Sequence, residues 1–429
     1  MRLHPRSLRH VWLGIIWLVA CSRGSGGLGV TSLSAPGAGG SQSADPALAI
    51  DPVSGDLVMS WIEGDGLTWA LYAARSAKSG DWSPPVRVAG GSAQPDEVHP
   101  HGESSPRLIA GPADHLALVW PNNIKVEGRK WPAAMLRFSR SVDGGRSWST
   151  PITLNDDTTG ALVSHQFHGA TLVGDSGLAV AWLDEREVVA PIASGADGAE
   201  HAAEPDAHIY LTTSADFGRS WGPNRKGWDA VCPCCRVSLA RSIGGHAVAG
   251  WRKHFPGNIR DVVMATISEK PGEPERVHRD DWAYEGCPHS GPAIATGADA
   301  STHVVWYNGK QDAAGVYYAR RVGGRSTGSA VPLVQGQALG VAHPAVVSLP
   351  RGGALAAYDV SPDGKRMIRL AQLLPSGKVG AQQQVSGSED GKYPQLAVLD
   401  STTAIVAWTE SKGEGSRMRV AQISLSGGR

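Results

Sequence analysis

The cysteines beyond the N-terminal leader are Cys232, Cys234, Cys235 and Cys287, and three of them share one Cys-Pro-Cys-Cys segment. Histidines and charged residues gather at comparable points: His99, His101 and Glu103; His165 and His168; Arg236 directly after the cysteines; His289 two residues past Cys287; His343; and Tyr393. Each group lies just before an apolar run. Thiolates and imidazoles brought to one point form a ligand set for a soft or borderline cation, copper first and zinc second. The candidate ligands are Cys232, Cys234, Cys235, Cys287, His289, His168 and His101. The spacing is not that of a zinc finger, because no second C-x-x-C accompanies the first. In an oxidising compartment the same four cysteines would instead form two disulfides from three possible pairings. Adjacent Cys234 and Cys235 are poorly placed to bond each other, which leaves Cys287 to reach back to the Cys-Pro-Cys-Cys segment. Both readings stay open on the sequence.

The elements that would position these groups repeat along the chain. A small residue or proline opens an apolar strand, a Gly/Asp turn follows, and a second strand ends in an aromatic: Trp61, Trp120, Trp182, Trp251, Trp306, Tyr358 and Trp408. Third strands follow in Gly315–Arg320, Met367–Ala371 and Met418–Ala421. A small antiparallel unit of this kind cannot cover both its faces, and radial stacking of repeated units solves that problem. The expected fold is therefore all-β, a single β-propeller with seven blades preferred. Residues just before each first strand would then converge at the axial mouth, although they are far apart in sequence.

Two turns carry the pattern S-x-D-x-G-x-x-W: Ser141, Asp143, Gly145 and Trp148, then Ser214, Asp216, Gly218 and Trp221. A worn copy runs from Ser76 to Trp82. The Asp can bond its own backbone, the Gly tolerates positive φ, and the Trp anchors the returning chain. These boxes resemble the Asp-box (BNR) repeat of the sialidase superfamily, whose fold is a β-propeller. Sialidases have six blades, so six is the alternative count. The resemblance implies a glycoside hydrolase if the protein is an enzyme, with an arginine triad clamping the substrate carboxylate and a tyrosine nucleophile. Tyr393 stands where that tyrosine resides, and Arg107 and Arg236 are the arginine candidates. The match is incomplete: Ser104-Ser105-Pro106-Arg107 replaces an expected F-R-I-P, and His343 stands where a triad arginine would be sought. Arg252, Arg260, Asp184, Glu185 and Asp261 are placed by no motif. The segment from Trp251 to Asp261 reads as an ordinary loop. A non-catalytic interaction scaffold or glycan-binding protein is the remaining class.

Arg2, Arg6 and Arg9 precede the apolar run Val11 to Ala20, which is too short to span a bilayer and has the layout of a secretory signal. Its end, Leu18-Val19-Ala20-Cys21, resembles a bacterial lipobox, so residues 1–20 are expected as the signal and Cys21 as the lipidated residue. Residues 21–44 read as a Gly/Ser-rich tether, within which Leu28 to Leu33 could return as a closing strand. The propeller would occupy 45–429. The expected location is the cell envelope, held by lipid to the outer membrane because Ser22 follows Cys21. The charge balance, 40 basic against 40 acidic residues, gives no electrostatic argument for nucleic acid. No phosphate-cradling Gly loop precedes a helix, which disfavours nucleotide chemistry. A glycan or a partner protein at the mouth is the expected ligand class.

Overall fold

The computed structural model describes residues 27–425 apart from 78–79, 92–97, 128–131, 158–161, 189–206, 337–338 and 386. The signal segment and Cys21 lie outside these residues. The described residues form antiparallel sheets and no α-helix. In chain order the first unit comprises Gln42–Ile50, Leu57–Gly64, Trp69–Ser76 and Val86–Gly90, and the second comprises Arg107–Ala110, Leu116–Ile124, Ala133–Ser141 and Ile152–Thr153. His165–Val173, Gly177–Asp184, Ala207–Ser214 and Arg225–Val231 follow as the third, and Ser238–Arg241, Ala247–Phe255, Ile259–Thr266 and Glu275–Arg276 as the fourth. These two share one sheet through the single pair Val231↔Lys253. The fifth begins at Ala293–Thr296 and the sixth at Pro344–Ser348; the last runs through Gly391–Val398, Thr403–Lys412 and Gly415–Ser424.

The inner strands touch one another in a cycle: Gln42–Ile50, Arg107–Ala110, His165–Val173, Ser238–Arg241, Ala293–Thr296, Pro344–Ser348, Gly391–Val398, and back to Gln42–Ile50. The chain is thus an all-β propeller. The second strand of each unit lies between two sheet neighbours and under the adjoining unit, so both of its faces are covered. That is why these strands read as continuous apolar runs and not as alternations. Trp61, Trp120, Trp182, Trp251, Trp306, Tyr358 and Trp408 are all buried, and apolar clusters fill the wedges between successive units. Truncating one such aromatic to alanine typically costs about 3–5 kcal/mol.

Closure comes from the N-terminal side. Gly29–Leu33 pairs antiparallel with Gly415–Ser424, opposing Val30 to Ile423. Within the segment expected as a tether, Gly29–Leu33 thus returns as the closing strand that the sequence suggested for Leu28 to Leu33. Leu28 is buried in a core cluster, and Glu63 accepts hydrogen bonds from the amides of Ala38 and Gly40. The loop expected between Trp251 and Asp261 is instead the hairpin of Ala247–Phe255 and Ile259–Thr266, turned by Gly257 at φ 82°. Both Asp boxes lie on turns between third and fourth strands. In each, the serine hydroxyl donates to the aspartate, and that aspartate accepts from the amide and hydroxyl of Ser147 or Ser220.

Candidate functional site at the axial mouth

Three inner strands begin with the same irregularity. Register is skipped between Ala44 and Ala47, between Gln166 and Gly169, and between Lys392 and Gln395. Within the skips, Asp45, Phe167 and Tyr393 adopt left-handed backbone at φ 54°, 55° and 54°. Non-glycine residues held there carry strain that the surrounding fold must offset, and such bulges re-aim side chains. Each strained residue is fixed by a neighbour from the adjoining unit: Asp45 N–H donates to Thr409 Oγ1 at 3.0 Å, Phe167 N–H to Ser104 Oγ at 2.8 Å, and Tyr393 N–H to Asp359 Oδ2 at 3.0 Å.

At the centre stands Glu103, buried in a short 3-10 turn. Its carboxylate pairs with Arg236 Nη1 at 2.7 Å and accepts the amides of Arg236 and Gly291. Arg236 also donates to the Pro344 carbonyl. One ion pair thereby ties the second, fourth, fifth and sixth units. Arg107 donates to the His168 carbonyl and to Ser105, and burial together with the Arg236 charge pushes it down to about 10. Arg107 and Arg236 line an axial cavity of about 150 Å³ below the mouth. Arg236 spends both terminal nitrogens on Glu103 and the Pro344 carbonyl, while Arg107 spends Nε and Nη1 on the His168 carbonyl and Ser105.

Beside this ion pair His343 and Tyr393 pack with ring centroids 4.0 Å apart. His343 Nδ1 faces Asp359 at 2.9 Å, and Asp359 also pairs with Arg366 at 3.2 Å. Burial alone would raise the Asp359 carboxyl, but His343 and Arg366 hold it below its usual range. Tyr393 moves the other way, its phenol raised by burial and then by the carboxylates of Glu103, Asp359 and Asp45. Asp45 accepts the His101 amide at 2.5 Å and is pushed up to about 6 by burial.

The cysteines lie on the side of the fourth unit. Cys234 and Cys287 form a disulfide, while Cys232 and Cys235 are buried thiols with sulfurs 3.5 Å apart. Burial opposes ionisation of Cys232, yet the Cys235 thiol and the Arg260 and Arg252 guanidiniums bring it down to about 7. Two groups of potential ligand atoms come together among the described residues: Cys232, Cys234 and Cys235, and Cys234, Cys287 and His289. His101 and His168 belong to neither. His168 turns into the sheet, its Nε2 3.0 Å from the Val119 carbonyl, and burial lowers it to about 3. His101 Nδ1 caps the amide of Ser104.

Other charged candidates are structural. Arg252 is fully buried and donates to the carbonyls of Ser290, Arg260 and Tyr307. Asp184 joins His165, Trp182 and Arg186, and Asp261 pairs with Arg276. Asp45 and Asp359 were missed by sequence reasoning. For Asp45 a signal was present, since Asp45-Pro46 stands just before an apolar run in the sequence as His343-Pro344 and Tyr393-Pro394 do before theirs.

No known protein family matches this chain, and no curated protein does. Solved structures similar to it include a ulvan lyase of polysaccharide lyase family PL25 bound to -[GlcA(1-4)Rha3S]-, at 11% identity and TM-score 0.56, covering 88% of this chain and 94% of that one. Also similar are the Hadza microbial sialidase Hz136, at 14% identity and TM-score 0.47 over 90% and 66% of the two chains, and the Penicillium chrysogenum alpha-L-arabinanase complexed with arabinobiose, at 13% and 0.46 over 92% and 97%. At 11% identity the likeness to the ulvan lyase is one of fold alone.

Proposed function

We propose that the chain is an exported, lipid-anchored propeller that takes an acidic glycan at its axial mouth and transfers protons there. The carrying observation is the group of His343, Asp359 and Tyr393. A carboxylate at Nδ1 orients the imidazole and leaves Nε2 as the base, the arrangement general base catalysis needs. A phenol with a raised pKa stays protonated at neutral pH and serves as the acid for a leaving oxygen. Base and acid with touching rings suit abstraction of the proton beside a uronate carboxylate with departure of the neighbouring glycosidic oxygen. Retaining sialidase chemistry is less well served, because it asks Tyr393 to be a nucleophile and asks the arginines to be open. The fold-similar ulvan lyase, whose bound glycan contains glucuronate, accords with this reading.

The test is a panel of acidic and neutral polysaccharides read by formation of unsaturated uronate and by release of reducing ends. Cleavage of a uronate polymer that falls at least a hundredfold in His343→Ala and in Tyr393→Phe is expected. Activity confined to sialosides, or intact activity in both variants, overturns the reading. The anchor is tested by Cys21→Ser, which should release a soluble form from the membrane fraction; an unchanged membrane fraction refutes it.

A further inference from the structure

The cysteine cluster has more sulfur than one disulfide uses, and its geometry offers a second connectivity. The Cys232, Cys234 and Cys235 sulfurs all lie within 4.8 Å of one another. Cys232 Sγ accepts a hydrogen bond from Arg260 Nη1 at 3.3 Å, and its partner Cys235 is 3.5 Å away. Both thiols are buried, whereas Cys287 is partly exposed and His289 is exposed beside it, in a left-handed backbone at φ 48°. A disulfide sulfur is a poor metal ligand and a thiolate a strong one. With the bridge at Cys234–Cys287, the triplet Cys234, Cys287 and His289 therefore holds its ligand atoms together in a masked form.

We infer that the cluster is a disulfide-gated site for a soft cation such as copper(I), in which moving the bridge from Cys234–Cys287 to Cys232–Cys235 frees Cys234 and Cys287 to bind the ion with His289. The transfer balances internally. The Cys232 thiolate, beside the Arg260 guanidinium, attacks Cys234 Sγ; the bond to Cys287 breaks and Cys287 leaves as a thiolate. The Cys235 thiolate then attacks Cys232 Sγ and expels Cys234 as a thiolate. One disulfide is lost and one gained, and the protons of Cys232 and Cys235 are released to Cys234 and Cys287, or to solvent when the cation takes those sulfurs. No external oxidant or reductant enters. Each connectivity leaves two thiols, and the cation drives the exchange because Cys234 and Cys287 add the His289 imidazole as a third ligand, which the Cys232 and Cys235 pair lacks.

The experiment is anaerobic titration of the purified, folded chain with copper(I), followed by acid quench, alkylation and disulfide mapping by mass spectrometry. Without metal, Cys232 and Cys235 should be alkylated and Cys234–Cys287 recovered. With one equivalent, Cys232–Cys235 should be recovered. Cys235→Ser, which cannot complete the second attack, should retain Cys234–Cys287 and bind copper at least tenfold more weakly. His289→Ala, a change at an exposed side chain, should weaken binding with an unchanged unfolding temperature. Recovery of Cys234–Cys287 at saturating copper overturns the inference. So does isolation with both bridges and no thiol, or copper binding unaltered in His289→Ala.

Discussion

Glu103 and Arg236 stand 133 residues apart in sequence and form a buried ion pair at 2.7 Å. The pair is the knot of the mouth, since the same carboxylate accepts the Gly291 amide and the same guanidinium reaches Pro344. Removing one partner leaves a buried charge without compensation, which typically costs about 3–5 kcal/mol. Glu103→Ala and Arg236→Met should each lower stability by that order. The double variant should cost less than the sum of the two, as measured by chemical unfolding. Additive losses would mean that the two side chains are stabilised independently.

Gly102 precedes this glutamate because nothing larger fits. A Cβ there would come within 2.1 Å of Tyr393 Cδ2 and 2.2 Å of Cε2. Gly102→Ala should therefore displace the tyrosine from His343 and abolish the proposed proton transfer, while leaving the aromatic core of the units untouched. Loss of turnover with an unfolding temperature close to that of the parent is the expected outcome. Tyr393→Ala should relieve the displacement in the double variant without restoring activity.

The repeating aromatics, the Asp boxes and the gathering of Cys, His and Tyr at the starts of inner strands were all legible, because each is a local pattern with a local physical cause. Cys287 does reach back to the Cys-Pro-Cys-Cys segment, though its choice of Cys234 depends on packing across two units. What could not be read was non-local. The skips that place Asp45 and Tyr393 depend on strand register, and the role of Arg252 depends on three carbonyls from other segments of the chain. His168 resembles a ligand in sequence and proves to be a buried structural group for the same reason.

Ring closure makes its own prediction. Without Gly29–Leu33, the strand Gly415–Ser424 would present an unpaired edge, and such edges invite association between chains. A chain beginning at Ser41 should be less stable and should form oligomers on warming, detectable by light scattering. A monomeric truncation of unchanged stability would show that the closing strand contributes nothing.

Asp45 supplies a pH dependence whose sign is fixed by its raised carboxyl. Below about 3.8, the unfolded value, both folded and unfolded chains carry the proton and the stabilising contribution is complete. Between there and about 6 the unfolded chain releases its proton first, so folding loses ground as pH rises. Above about 6 the folded carboxyl is ionised in a buried site and the loss is complete, on the order of 2–3 kcal/mol. Asparagine keeps the side-chain shape, tolerates the left-handed backbone at φ 54°, and still accepts the His101 amide. Asp45→Asn should therefore unfold at a higher temperature than the parent at pH 7.5 and at nearly the same temperature at pH 4. Thermal melts at the two pH values decide the matter, and a gap of equal size at both would remove Asp45 as its origin.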